Sequence, residues 1–210
     1  MKYFYITIFL LTFLSTSLTG LAQVRIGYTF GLNQAKATIK DKASNTSVSL
    51  KSILGLRAGV SMQVPASESF SLITGVFLNQ KGFEFTDTGS GEDVEIKIHY
   101  LSLPILAQIG MSFRKNPRLF IDAGPVISIA ASGRVKVDGQ KGDLDFNSDH
   151  EGSIKRLDLG FTFGAGVEID PIKIRLSYEA GLANISNSTE ASLRNRVFSL
   201  TLAYQIERAF

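Results

Sequence analysis

From Leu157 the chain reads Leu-Asp-Leu-Gly-Phe-Thr-Phe-Gly-Ala-Gly-Val-Glu-Ile, with every odd position apolar and every even position Asp, Gly, Thr or Glu. Alternation of this kind predicts a strand with one apolar and one polar face. The run from Leu157 to Ile169 is longer than the usual strand of a water-soluble domain and about the length that crosses a bilayer at a tilt. Glycine on the polar beat decides which face points where. A water-facing strand favours Thr, Lys or Glu, because glycine weakens a strand and packs nothing. The crowded inside of a small closed barrel tolerates glycine, so the polar face is predicted inward and the apolar face outward, toward lipid.

The same rhythm marks eight strands: Arg25–Asn33, Ile53–Val64, Phe70–Lys81, Ile96–Ile109, Arg118–Ala131, Leu157–Ile169, Ile172–Ala183 and Arg196–Ile206. Two of them are irregular. In the third, Phe70, Leu72, Val76 and Leu78 share a face, while Ile73 and Phe77 fall on the other with Gly75. In the fourth, Ile96 and Ile98 are even but Leu101, Leu103, Ile105, Ala107 and Ile109 are odd. That change of phase predicts a β-bulge, one extra residue near His99–Tyr100. Pro104 and Pro125 each lack an N–H, which predicts a local bulge or weakened pairing between the fourth and fifth strands.

The connections alternate in length. Pro65–Glu68, Met111–Asn116 and Asp170–Pro171 are tight, whereas Ala35–Lys51, Glu84–Glu95, Ser132–Arg156 and Ser186–Asn195 are long and polar. Strands and connections together predict an all-β fold, an eight-stranded antiparallel up-and-down transmembrane β-barrel. The expected topology places long loops outside the cell and both termini at the periplasmic rim of the outer membrane, with no free sheet edge.

Residues 1–22 carry the marks of a cleaved signal peptide: Lys2, then the apolar run Tyr3–Leu14, then Gly20-Leu21-Ala22 with small residues at the cleavage-determining positions. The run is too short for a spanning helix. The barrel domain is therefore expected to occupy residues 23–210. The sequence has no cysteine, which removes disulfides, thiol catalysis, Cys-based metal sites and a lipoprotein anchor. The net charge of +3, scattered along the chain, argues against nucleic acid as a partner.

Candidate chemistry is sparse, and neither an enzyme nor a cofactor is expected. Of the two histidines, His99 lies three residues from Ser102 but on the opposite strand face, and His150 sits in the longest loop with Ser148 and Asp149. Neither forms a recognisable triad. The oxygen-rich alternation Asp143, Asp145, Asn147, Asp149, Glu151 fails the EF-hand pattern at Ser148 and Ile154, and is expected to be a solvated strand extension without metal. A conducting pore is also disfavoured, because side chains fill the inside of eight strands. The strongest candidate site is structural, a cluster of inward charges formed by Arg57, Asp122, Asp158, Glu168, Lys173, Arg175 and Glu179. Unpaired charges in a narrow lumen are costly. Glu168 is expected to lie near Lys173 and Arg175 across the Asp170–Pro171 turn, and Arg57 to meet Glu179 across the lumen.

Gly27–Asn33, Tyr100–Leu106, Ala123-Gly124-Pro125, Gly164–Glu168 and Leu200–Tyr204 resemble the PorT-like outer-membrane β-barrel family of Bacteroidota, which is OmpA/OmpX-like in strand number. The resemblance covers essentially the whole mature chain. It implies an eight-stranded barrel in the outer membrane, and an accessory part in protein secretion or gliding as one role. It also implies a terminal aromatic, Tyr204 or Phe210, read by the barrel-assembly machinery; the chain departs from the family in adding Glu207-Arg208-Ala209 before Phe210. The leading expectation is a structural or surface-interaction protein, with outer-membrane lipid or lipopolysaccharide around its wall and an envelope protein as a partner for its long loops. The alternatives are a membrane acyl-transfer or hydrolase barrel using His99 or His150, and a soluble lipocalin-like barrel with the faces reversed.

Overall fold

In an antiparallel ladder a slip of one residue turns every side chain to the wrong face, so a wall of alternating residues fixes its own register. Tyr28, Phe30 and Leu32 stand opposite Tyr204, Leu202 and Leu200, and Phe163 and Ala165 stand opposite Tyr178 and Leu176. The computed structural model describes residues 24–41, 46–86, 91–112, 117–144, 146, 153–188 and 191–208. The expected signal peptide, His150, Phe210 and most of the Asp143–Glu151 run lie outside them.

Among the described residues the strands are β1 (Val24–Asp41), β2 (Ser47–Ser49), β3 (Ile53–Pro65), β4 (Phe70–Thr86), β5 (Asp93–Ser112), β6 (Arg118–Val137), β7 (Gln140–Asp143), β8 (Leu157–Ile169), β9 (Ile172–Gly181) and β10 (Ala191–Arg208). Eight of them close into an antiparallel ring in the order β10-β9-β8-β6-β5-β4-β3-β1, with β1 pairing back to β10 from Val24↔Arg208 to Asp41↔Ala191. The short β2 and β7 pair with the far ends of β1 and β6. Every neighbour in the ring is the next long strand in sequence, so the chain is an up-and-down barrel.

The apolar residues of the wall face outward. Leu54 is 73% exposed, Phe30 65% and Ile121 61%, values that only a surrounding apolar medium rewards. Inward positions hold Asn33, Gln108, Asp158, Thr162, Glu168 and Ser199, all buried. Glycine admits this crowding at close approaches. A Cβ on Gly166 would lie 2.1 Å from the Ile174 carbonyl oxygen and 2.5 Å from the Phe120 ring, and one on Gly164 2.9 Å from the Arg175 guanidinium.

Past the apolar band, at the long-loop end, the pattern inverts. In β1 the outward positions become Gln34, Lys36 and Lys40, and the inward ones become Ala35 and Ala37. The inward Ala37, Phe83, Ile98, Tyr100, Ala130, Ile154, Ile185 and Leu193 form one buried apolar cluster, with Phe85, Ile96, Leu144 and Phe146 packed against it. Water surrounds this end, so burial of apolar surface now rewards the inside.

The inversion corrects two expectations. The phase change in β5 is not an extra residue in that strand, because β4 and β5 keep one register from Phe70↔Ile109 to Thr86↔Asp93. Ile96 and Ile98 point inward with Tyr100, and the apolar side of the strand changes because its surroundings change. An irregularity does lie at His99–Tyr100, but the extra residue is Ala131 of β6, since Tyr100 pairs with Ala130 and His99 with Ser132. The second correction is length. Much of the chain expected to form long loops is strand, with β1 reaching Asp41, β4 reaching Thr86, β6 reaching Val137 and β10 starting at Ala191.

At the prolines the ladders are interrupted without a change of register. The β5–β6 pairing stops at Pro104↔Val126 and resumes at Ala107↔Ala123, and the β4–β5 pairing skips from Thr74↔Ile105 to Phe77↔Ser102. No bulge forms there. Thr74 Oγ1 donates to the Pro104 carbonyl oxygen at 3.0 Å, serving an acceptor near the gap.

Candidate functional site

The lumen is filled in layers, each supplied by strands far apart in sequence. Nearest the short-turn rim, Lys173 of β9 places Nζ 2.8 Å from Glu168 Oε1, 2.9 Å from Gln108 Oε1 and 3.2 Å from Gln63 Oε1. Its ammonium also lies 4.3 Å from the centre of the Phe120 ring. Arg118 holds the other oxygen of Glu168 at 3.2 Å. The next layer is a two-pronged pair from Arg175 to Asp122, at 2.8 and 2.5 Å. Planar fork-to-carboxylate pairing of this kind fixes both groups.

Above it Lys81 of β4 meets Asp158 of β8 at 3.1 Å, Glu179 of β9, and Ser128 Oγ at 3.4 Å, with the Tyr100 ring 5.0 Å away. Asn195 donates to the same Asp158 oxygen at 2.9 Å. Lys81 and Asp158 are each 1% exposed. Two carboxylates around one buried ammonium leave this layer one negative charge in excess, and Asp158 Oδ1 is enclosed without a hydrogen-bond partner. Beyond this layer the apolar cluster closes the long-loop end.

The structure thus brings together six of the seven charges expected in the lumen and arranges them differently from expectation in two respects. Arg57 does not meet Glu179; Lys81 takes that partner, and Arg57 instead lies 4.4 Å over the Phe77 ring. Arg175 does not join Glu168, because Asp122 lies across from it in β6. The inward cations Lys81 and Arg118 lie outside the expected cluster, although parity can find them: Lys81 shares its phase with Phe77 and Asn79, and Arg118 with Asp122. Ile73 and Phe77, irregular in sequence, are buried lumen residues.

The arrangement offers little chemistry of its own. Ser102 Oγ is 2.8 Å from Ser128 Oγ inside the barrel, whereas His99 is on the outward side of β5, so the two do not form a nucleophile–base pair. Among the described residues no group of three or more His, Asp or Glu comes together as a metal site. A hollow of ≈ 630 Å³ on the outer wall, over Ala107, Ala123 and Ala165, is apolar and lies within the lipid-facing band.

On the outer face of the long-loop end, cations stand directly opposite one another. Lys36 pairs with Arg196, Lys97 with Arg134, and Lys136 with Lys141. Lys97, Arg134, Lys136 and Lys141 line a hollow of ≈ 370 Å³ with Gln80 and Glu95; Glu95 lies 2.5 Å from Lys97 and stands opposite Lys136, and Asp143 stands opposite Arg134, so the cations outnumber the carboxylates there. Like charges directly opposite across a ladder are unfavourable unless a counter-charge joins them.

A closed ring with a lipid-facing wall and a charge-filled lumen defines a small transmembrane β-barrel. The chain belongs to the outer membrane protein beta-barrel domain family, whose pattern matches residues 17–187, and its place is the outer membrane. Among solved structures it is similar to the outer membrane protein OprG of Pseudomonas aeruginosa, at 11% identity and a TM-score of 0.52 over 89% of this chain and 97% of that one. It is also similar to Neisserial surface protein A, at 12% identity and a TM-score of 0.47 over 85% and 97% of the two chains. The attachment invasion locus protein of Yersinia pestis aligns at 14% identity and a TM-score of 0.41 over 88% and 99%. No curated protein matches the chain in sequence.

Proposed function

We propose that this protein is a closed, non-catalytic outer-membrane barrel whose long-loop end stands outside the cell as a contact surface. The observation that carries the reading is the continuation of the barrel beyond its apolar band, with an apolar inside and a cationic outside. A lumen filled by ion pairs and then by apolar side chains supports neither conduction nor entry of a substrate. The opposed cations just above the apolar wall have the chemistry to take phosphate groups of lipopolysaccharide, and the outermost loops remain for an envelope protein partner. Tyr204, outward and beside Tyr28 at the short-turn end, is the described aromatic suited to recognition by the barrel-assembly machinery.

The PorT-like reading, an accessory part in secretion or gliding, gains no separate support here. Its more specific elements serve the wall: Tyr100 is buried in the apolar cluster, and Pro104 lies against a lumen cavity.

The test is done on whole cells. Cysteines at Gly142 and Ser188 should react with a membrane-impermeant thiol reagent, and one at Ser67 should not; the opposite pattern overturns the orientation. Replacing Arg134, Lys136 and Lys141 together by Gln should lower the lipopolysaccharide retained by the purified barrel, and unchanged retention removes the lipid part of the reading.

A further inference from the structure

Arg57 is the one lumen charge whose partner is missing among the described residues. Lys81 faces Asp158 and Glu179, Arg175 faces Asp122, and Lys173 with Arg118 face Glu168. These four cations and four carboxylates balance, and the rim pair Arg25–Asp170, at 3.3 Å, balances itself. With Arg57 the described lumen side chains count five cations against four carboxylates, so the interior carries one positive charge in surplus. The Arg57 Nε is enclosed without a hydrogen-bond partner, its guanidinium lies over the face of Phe77, and Asp122 and Glu179 act on it only from beyond ion-pair distance. A ring face compensates part of a buried charge and accepts no strong hydrogen bond. A guanidinium carries five N–H donors that require acceptors.

The same side chain lines a cavity of ≈ 50 Å³ with Thr29, Gln63, Asp122, Arg175 and Gln205. That is room for a small ion and a water. The Lys81 layer and the apolar cluster close the cavity on one side. On the other, Gln63 also lines a vestibule of ≈ 230 Å³ at the short-turn rim, where Arg25 and Arg118 are matched by Asp170 and Glu168 and Glu68 adds a negative charge.

We propose that this cavity is a monovalent-anion site, occupied by a halide of chloride type held by the Arg57 guanidinium. One surplus positive charge selects one negative charge; a dianion would overcompensate it beside Asp122. Gln205 Oε1, enclosed and unpartnered, is an acceptor, so an ion alone does not serve it. A water sharing the cavity donates one proton to Gln205 and one to the ion. The inference stands apart from the surface role, since it concerns the lumen alone.

The test uses the full-length protein folded in detergent. Thermal unfolding is followed in sodium chloride, bromide and gluconate at constant ionic strength, and crystals are soaked in bromide. Each tenfold rise in halide above its Kd should raise the midpoint by about 3–5 °C, with no rise in gluconate. Arg57→Gln should abolish that dependence, and an anomalous bromide peak should lie within hydrogen-bond distance of Arg57. If Arg57→Gln fails to fold, the Arg57 side-chain N–H resonance of the unaltered protein, which should shift on exchanging gluconate for chloride, carries the test. A water in place of bromide, a midpoint indifferent to the anion, or halide dependence undiminished in Arg57→Gln overturns the site.

Discussion

The two ends of this barrel solve the same problem with opposite materials. Within the apolar band the wall is apolar outside and the lumen holds Lys81, Asp122, Glu168 and Arg175 in compensated pairs. Past it, Phe83, Ile98, Ile154 and Leu193 fill the inside while Lys36, Arg134 and Lys136 face out. Strand pairing continues across the boundary; β1 and β10 keep one register from Val24 to Asp41. The difference teaches that period two reports a strand, while the identity of its buried face is set by the surrounding medium. Inside a lipid-facing wall, polar backbone and side-chain groups require internal partners, and those partners fix geometry. Inside a water-facing wall, simple burial of apolar surface is enough.

The contrast is broken most severely at Lys81. Lys81→Ala strands Asp158 and Glu179 in a dry layer and should cost about 3–5 kcal/mol, read as a lower unfolding midpoint in detergent. The triple change Lys81→Met, Asp158→Asn, Glu179→Gln should recover most of it, because no buried charge is then left unpaired. Equal losses in the single and triple variants would show that packing, not charge, decides this layer.

At the other end Ile98→Ala removes buried methyl groups and should cost about 3 kcal/mol. The loss should be local. Amide exchange should quicken around Ala37, Ala130 and Leu193 and stay slow around Thr162 and Ser177, and a uniform increase would mean the two zones unfold as one.

The outer wall gives a smaller, paired test. Leu56→Lys puts a charge into the lipid-facing band and should cost about 2–4 kcal/mol, depending on its depth. Lys36→Leu, on the same outer face past the band, should stay within about 0.5 kcal/mol. Similar costs at both positions would place the boundary elsewhere.

The smallest effect sharpens the charge assignment itself. Arg57→Ala and Glu179→Ala should couple by no more than about 0.5–1 kcal/mol, since Glu179 is in contact with Lys81 and reaches Arg57 only at longer range. A coupling above about 1 kcal/mol would reinstate a pair across the lumen.

The class of fold, the inward placement of the glycine-bearing face and the position of the strands inside the apolar band are legible in the chain alone; Leu157–Ile169 is β8 end to end. Alternation is a local property of neighbouring residues, and local properties are written in the chain. It also pointed to an irregularity at His99–Tyr100, but a strand cannot show that the extra residue belongs to its neighbour. Which charges meet follows from the closed ring. Lys81 reaches Asp158 and Glu179, 77 and 98 residues away, because ring closure brings β4 across the lumen from β8 and β9. That meeting depends on strand stagger around the whole circumference, which no single strand encodes. The segments past Asn33, Lys81 and Ala131 look like loops in sequence for the same reason: their apolar residues are sparse and change phase, and only a closed wall gives them an inside to fill.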